Sequence, residues 1–214
     1  MKPSTLLKTV VIGAALSAGS LFANTVQLYQ DAYTGGLGGG EFVADFKDSS
    51  NNVIATTLTF CIEEHVGVNN GGTYAYTIDN NALLQDDPIS AGTAWLYTQF
   101  ILGTLPDASG SGSYFGANRY ADAGLLQEAI WMLEDEIPVG PNAYLAMAEA
   151  ANGGTFATAH ADEAANGRVK ALNLWGPNGE DIQSQLIYVP DTGMTAALLG
   201  FGLISLVAFR RKSK

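Results

Sequence analysis

Ser90-Ala91-Gly92-Thr93-Ala94-Trp95-Leu96-Tyr97-Thr98-Gln99-Phe100-Ile101-Leu102 is the stretch where this chain of 214 residues changes period. Ala94, Leu96, Tyr97, Phe100 and Ile101 recur at spacings near three and four, which puts them on one face of an amphipathic helix. Toward the N-terminus the period is two. Thr25-Val26-Gln27-Leu28-Tyr29 and Gly40-Glu41-Phe42-Val43-Ala44-Asp45-Phe46 place an apolar side chain at every second position, as half-buried strands do. Residues 53–62 follow the Asp48-Ser49-Ser50-Asn51-Asn52 turn and are rich in Val, Ile, Thr and Phe; they read as a buried strand, and residues 74–78 as another. On the C-terminal side, Asp122 is placed to cap a second helix running to about Glu134, with Leu126, Ala129, Ile130 and Leu133 inward and Pro138 beyond its end. Residues 141–151 offer a third helix, and residues 169–175 and 182–189 return to strand character. The expected fold is α+β: an antiparallel, β-rich domain with two or three inserted helices.

Both ends look like addresses. Lys2 and Lys8 flank the start of an apolar stretch, residues 9–22, that closes on Leu21-Phe22-Ala23. This reads as a secretory signal helix, residues 1–23, cut after Ala23. At the other end Val189-Pro190-Asp191-Thr192-Gly193 precedes an apolar run and a basic stop, Arg210, Arg211 and Lys212. The 16 residues from Met194 to Phe209 fall short of the roughly 20 that span a bilayer comfortably, which favours a processed signal over a permanent transmembrane anchor. The basic stop belongs on the cytoplasmic side. Residues 24–188 are then the exported domain and residues 189–214 the sorting signal.

That layout resembles the exosortase-processed PEP-CTERM tails of Gram-negative bacteria, in particular the variant with a Val-Pro-Asp-Ser-Gly motif, from which Thr192 is the one departure. The resemblance implies signal peptidase and an exosortase as processing partners. It also implies membrane attachment through the C-terminal helix before processing, then a cell-surface or extracellular location. A sortase substrate is the alternative, because the motif is one residue from Leu-Pro-any-Thr-Gly.

Between the basic residues of the two ends lie four bases, Lys47, Arg119, Arg168 and Lys170, and all 21 acids, a net charge of −17. So acidic a surface repels phosphate backbones and excludes nucleic acid as a partner. No calcium-loop pattern accompanies the acids. One cysteine permits no intramolecular disulfide, despite export.

That cysteine lies in Thr59-Phe60-Cys61-Ile62-Glu63, and Gln127 opens Gln127-Glu128-Ala129-Ile130-Trp131. The two segments resemble the thioester domains of bacterial surface adhesins, in which an aromatic-Cys strand motif meets a Gln-any-Ala-Ile/Val-Trp helix. Leu126 departs from the Thr that family members usually carry before the Gln. The resemblance implies an internal Cys61/Gln127 thioester able to capture an amine-bearing surface ligand covalently. Trp131, one helical turn after Gln127, would shield the bond from water. Amide dipoles near a helix N-terminus would favour charge developing at Gln127. The plain alternative is a small buried core cysteine in a passive matrix or biofilm protein.

Other constellations carry less. His65 and His160 lack ligand-like spacing, so no metal is expected, nor any cofactor. Glu134-Asp135-Glu136 reads as a solvated acidic helix end, and Gly35-Gly36-Leu37-Gly38-Gly39-Gly40 as a strand connection without the Lys-Ser/Thr ending of a phosphate loop. No carboxylate pair or nucleophile elbow stands out, which ranks an extracellular hydrolase last. The sequence thus points to an exported, non-enzymatic surface protein, adhesive if the thioester forms.

Overall fold

The alternating segments form strands. β1 (Thr25–Gln30) buries Val26 and Leu28, and β2 (Phe42–Lys47) buries Phe42, Ala44 and Phe46. With β3 (Val53–Thr59), β4 (Thr73–Asp79), β5 (Val169–Trp175) and β6 (Asp181–Tyr188) they make one sheet in the order β3-β2-β1-β4-β5-β6, antiparallel at every pairing. The computed structural model describes residues 25–35, 39–164 and 167–190. The signal helix, the C-terminal transmembrane helix, Asp191, Thr192, Gly193, Arg210, Arg211 and Lys212 lie outside the described residues. Among the described residues no helix is long and apolar enough to cross a membrane.

Four helices enter between β4 and β5: α1 (Ala91–Ile101), α2 (Arg119–Leu133), α3 (Ala143–Ala151) and α4 (Phe156–His160). Side chains that accept from first-turn N–H groups start three of them: Ser90 for α1, Asn142 for α3 and Thr155 for α4. Helix α2 begins three residues before the expected Asp122. Asp122 instead accepts a hydrogen bond from the Ala108 N–H at 3.1 Å, so it fastens a loop rather than capping the helix. The helices pack on one sheet face around Phe60, Tyr97, Phe100, Tyr114 and Leu186; Val26, Leu28, Phe46, Tyr74, Leu172 and Leu174 form a second core on the other face. Covered on both sides, β5 and β6 are buried through most of their length.

The reading of residues 53–62 as one buried strand is corrected. β3 stops at Thr59 and is an edge strand, with Val53 and Ile54 about half exposed. Beyond it the chain crosses to the opposite edge. The Leu186 N–H donates to Phe60 O and the Ile62 N–H to Ser184 O, each at 3.0 Å, leaving Cys61 directly opposite Gln185. Hence the sheet curls until its two edges meet over a short seam. The Thr59 hydroxyl donates across it to Leu186 O at 2.6 Å, and the Tyr97 hydroxyl of α1 lies 2.8 Å from Leu58 O and 3.1 Å from Leu186 O.

Candidate functional site

Cys61 sits in that seam, 1% exposed, and Gln127 comes to it from the middle of α2, fully buried. The Gln127 carboxamide docks on the backbone of Cys61. The Cys61 N–H donates to Gln127 Oε1 at 3.1 Å, and Gln127 Nε2 donates back to Cys61 O at 2.8 Å. A third bond comes from Gly40, whose N–H reaches the same Oε1 at 3.3 Å. Two residues 66 positions apart, singled out from sequence, are therefore brought together.

The expected contribution of a helix N-terminus is not found. Gln127 is the ninth residue of α2, two turns in, where backbone N–H groups are consumed within the helix. The N–H groups on its oxygen come instead from a loop and the seam. Gly40 can supply one because its φ of +93° turns the chain in a way side-chain-bearing residues rarely adopt; a Cβ there would also lie 2.6 Å from Thr34 O. Gly39 leaves room for the site: a Cβ on it would sit 2.6 Å from Gln127 Cγ and 2.8 Å from Trp131 Cη2. The glycine-rich segment is thus more than a strand connection, since its described residues form one wall of the site.

An ion pair fixes that wall. Glu41, next to Gly40, is fully buried; it accepts from Arg119 Nε at 2.9 Å and from the Tyr114 hydroxyl at 2.8 Å. The Arg119 guanidinium lies 4.0 Å from the Tyr33 ring centroid and 4.8 Å from that of Phe115. Sequence reading missed the pair. The available signal was Arg119 itself, one of only four bases in the exported region, placed where α2 begins.

The sulfur faces two further glutamines. In an antiparallel bridge opposed side chains share a face, and the residue two further along shares it too. Accordingly the Cys61 thiol donates to Gln183 Oε1 at 2.9 Å, and Gln185 Nε2 donates to Sγ at 3.4 Å. Burial pushes the thiol up to about 12; the Gln185 bond opposes this and the Glu63 charge adds to it. Trp131, 5% exposed, packs with Phe42 and Cys61 in one cluster. Trp131 Nε1, Gln185 Oε1 and Glu63 Oε1 are buried without hydrogen-bond partners.

Remaining candidates separate. His65 is exposed and pairs with Glu64, whereas His160 pairs with Asp135 at 2.9 Å. Among the described residues no cluster of three or more His, Cys, Asp or Glu is arranged to hold a metal. The expectation that Glu134 is solvated is overturned. It is 4% exposed and accepts from the Ser90 N–H at 3.2 Å and the Ser90 hydroxyl at 2.7 Å, so it ties the end of α2 to the start of α1. Burial raises its carboxyl to about 7, against the Ser90 hydrogen bonds.

β6 ends at Tyr188 and runs into Val189 and Pro190, the first residues of the terminal motif. Motif, apolar run and basic end in that order define a sorting tail of the PEP-CTERM type. Residues 188–213 match the VPDSG-CTERM motif family. No curated protein and no solved structure matches the chain. The tail supports export, processing by an exosortase and a surface or extracellular destination.

Proposed function

We propose that the exported domain is a covalent surface adhesin whose Cys61 and Gln127 form an internal thioester, and that it performs no enzymatic turnover. The observation that carries this reading is the grip on the Gln127 carboxamide, whose oxygen receives the Gly40 and Cys61 N–H groups. Two backbone donors on a carbonyl oxygen stabilise the negative charge that develops there when the carbon is attacked. In the reaction a Sγ–Cδ bond forms, the Cδ–Nε2 bond breaks, and the thiol proton leaves with the nitrogen as ammonia. A primary amine then attacks Cδ, forms an amide, and returns a proton to the sulfur.

The raised thiol pKa works against the first step. At neutral pH little of the thiol is ionised. Well-oriented intramolecular partners reach effective concentrations of about 10⁵–10⁸ M, which would offset this once Sγ turns from Gln183 to Gln127 Cδ. Formation is accordingly slow, a single maturation event rather than a turnover. The tail would hold the chain in the membrane until an exosortase cuts at the Val189 to Gly193 motif; a sortase is the alternative processing enzyme.

The test is the intact mass of the full chain. A thioester lowers it by about 17 Da, and methylamine then leaves the protein about 14 Da above the unmodified mass. An unmodified mass, with Cys61 alkylated only on unfolding, leaves the second reading: a passive matrix protein with a reduced thiol, which the complete burial of Cys61 favours.

A further inference from the structure

The hydrogen bond of the Cys61 thiol goes to β6 and not to α2. Its acceptor is Gln183 Oε1 at 2.9 Å, whereas the Gln127 carboxamide bonds the backbone N–H and C=O of Cys61. Which end of the Gln183 amide meets the sulfur is decided by its other partner. Gln183 Nε2 donates to Glu63 O, a backbone carbonyl that can only accept, so the amide oxygen is turned toward Cys61. Gln185 Nε2 donates to that same oxygen at 3.3 Å and to Sγ at 3.4 Å. Both glutamines are buried, so solvent weakens these bonds little.

A thiol has one proton to donate. Thioester formation needs that proton on the departing nitrogen: the Sγ–Cδ bond to Gln127 forms, the Cδ–Nε2 bond breaks, and ammonia carries the thiol proton away. While the proton points at Gln183 it cannot take that course. An amide oxygen is far too weak a base to accept it at neutral pH, so Gln183 offers no alternative route. The bond that orders the thiol therefore opposes the step.

We infer that Gln183 restrains maturation: it parks the Cys61 thiol on β6, and the thioester forms only in molecules where this bond has opened and the sulfur has turned to Gln127. The inference rests on the thioester reading above. Opening gives up about one neutral hydrogen bond, which slows the step roughly two- to tenfold. A newly folded chain thus keeps its thiol for a time before the bond closes.

The test uses the full chain, synthesised cell-free in detergent and followed by intact mass from the time of synthesis. Gln183→Met keeps the length of the side chain and removes the acceptor; Gln183 borders a cavity of about 210 Å³, which gives the flexible methionine room. This variant should lose ammonia roughly two- to tenfold faster than the unmutated chain, whereas damage to packing would make it slower. A second measurement needs no substitution. Cys61 is the one cysteine of the chain, so the S–H stretch in a Raman spectrum belongs to it alone. In the newly folded chain that band should lie below its position in the denaturant-unfolded chain and fade as ammonia is lost. Where ammonia is lost, a folded Gln183→Met chain that is no faster, or an S–H band at its unfolded position, overturns the restraint and leaves the thioester standing. The band decides alone if the variant does not fold. Ammonia lost from neither chain overturns both.

Discussion

Gln127 in α2 and Glu134 at its C-terminal cap lie two turns apart, both buried and both bonded to a segment far away in sequence, yet they do opposite things. Gln127 is neutral at every pH, and its three hydrogen bonds to backbone groups join α2 to the seam and to the glycine-rich wall. Glu134 joins α2 to the start of α1 through a carboxyl that burial has raised to about 7. One attachment is fixed and the other titrates. A buried polar group can therefore set geometry or sense acidity, and whether it carries a proton decides which.

The comparison breaks most severely at Gln127. Gln127→Ala leaves Gly40 N–H, Cys61 N–H and Cys61 O without their partner, at about 1–3 kcal/mol for each buried group left unsatisfied. Denaturant unfolding should show a loss of at least about 3 kcal/mol at any pH. Mass spectrometry should show no ammonia loss.

At Glu134 the effect depends on pH. The folded chain keeps a proton that the unfolded chain releases above the ordinary carboxyl value of 4.5, so stability from this group is fully present below 4.5 and is lost as pH rises to about 7. Between pH 5 and pH 8 the loss should amount to roughly 2–3 kcal/mol. Glu134→Gln keeps an oxygen for Ser90 and should flatten the profile in thermal melts over the same range. A variant that retains the full pH slope assigns the titration to another group.

A smaller effect sharpens the account of the fixed attachment. Gly39→Ala pushes a methyl group into Gln127 Cγ and the Trp131 ring, an overpacking cost of about 1–3 kcal/mol. Ammonia loss should slow in parallel with the displaced carboxamide. Smallest is His160→Ala. Its partner Asp135 is largely exposed, and an exposed pair is worth about 0–1 kcal/mol, so chemical unfolding should register it least of the four.

Much of the framework was legible because it is local. The alternation in Val26 and Leu28, and in Phe42, Ala44 and Phe46, gives β1 and β2 directly, and the spacing of Ala94, Tyr97 and Ile101 gives α1. The pairing of Cys61 with Gln127 was visible only through their motif context, since no periodicity connects positions 66 apart. What stayed hidden is non-local. The crossing of Phe60 to Ile62 onto β6 joins segments more than 120 residues apart, and Gln183-Ser184-Gln185 resembles an exposed strand until the seam covers it. Glu134 misled because a run of three acids suggests solvent, whereas the Ser90 cap shelters the first of them. The buried Glu41 hides in the same way, its partner Arg119 arriving from the start of α2.

The depth of Cys61 also bears on durability outside the cell. Oxidants attack the ionised, accessible form of cysteine, and this sulfur is 1% exposed with an ionisation pushed up to about 12. Folded molecules can then neither pair through a disulfide nor pass readily to sulfenic acid. Until the thioester forms, the lone thiol keeps its chemistry in reserve for as long as the strand edges remain closed around it.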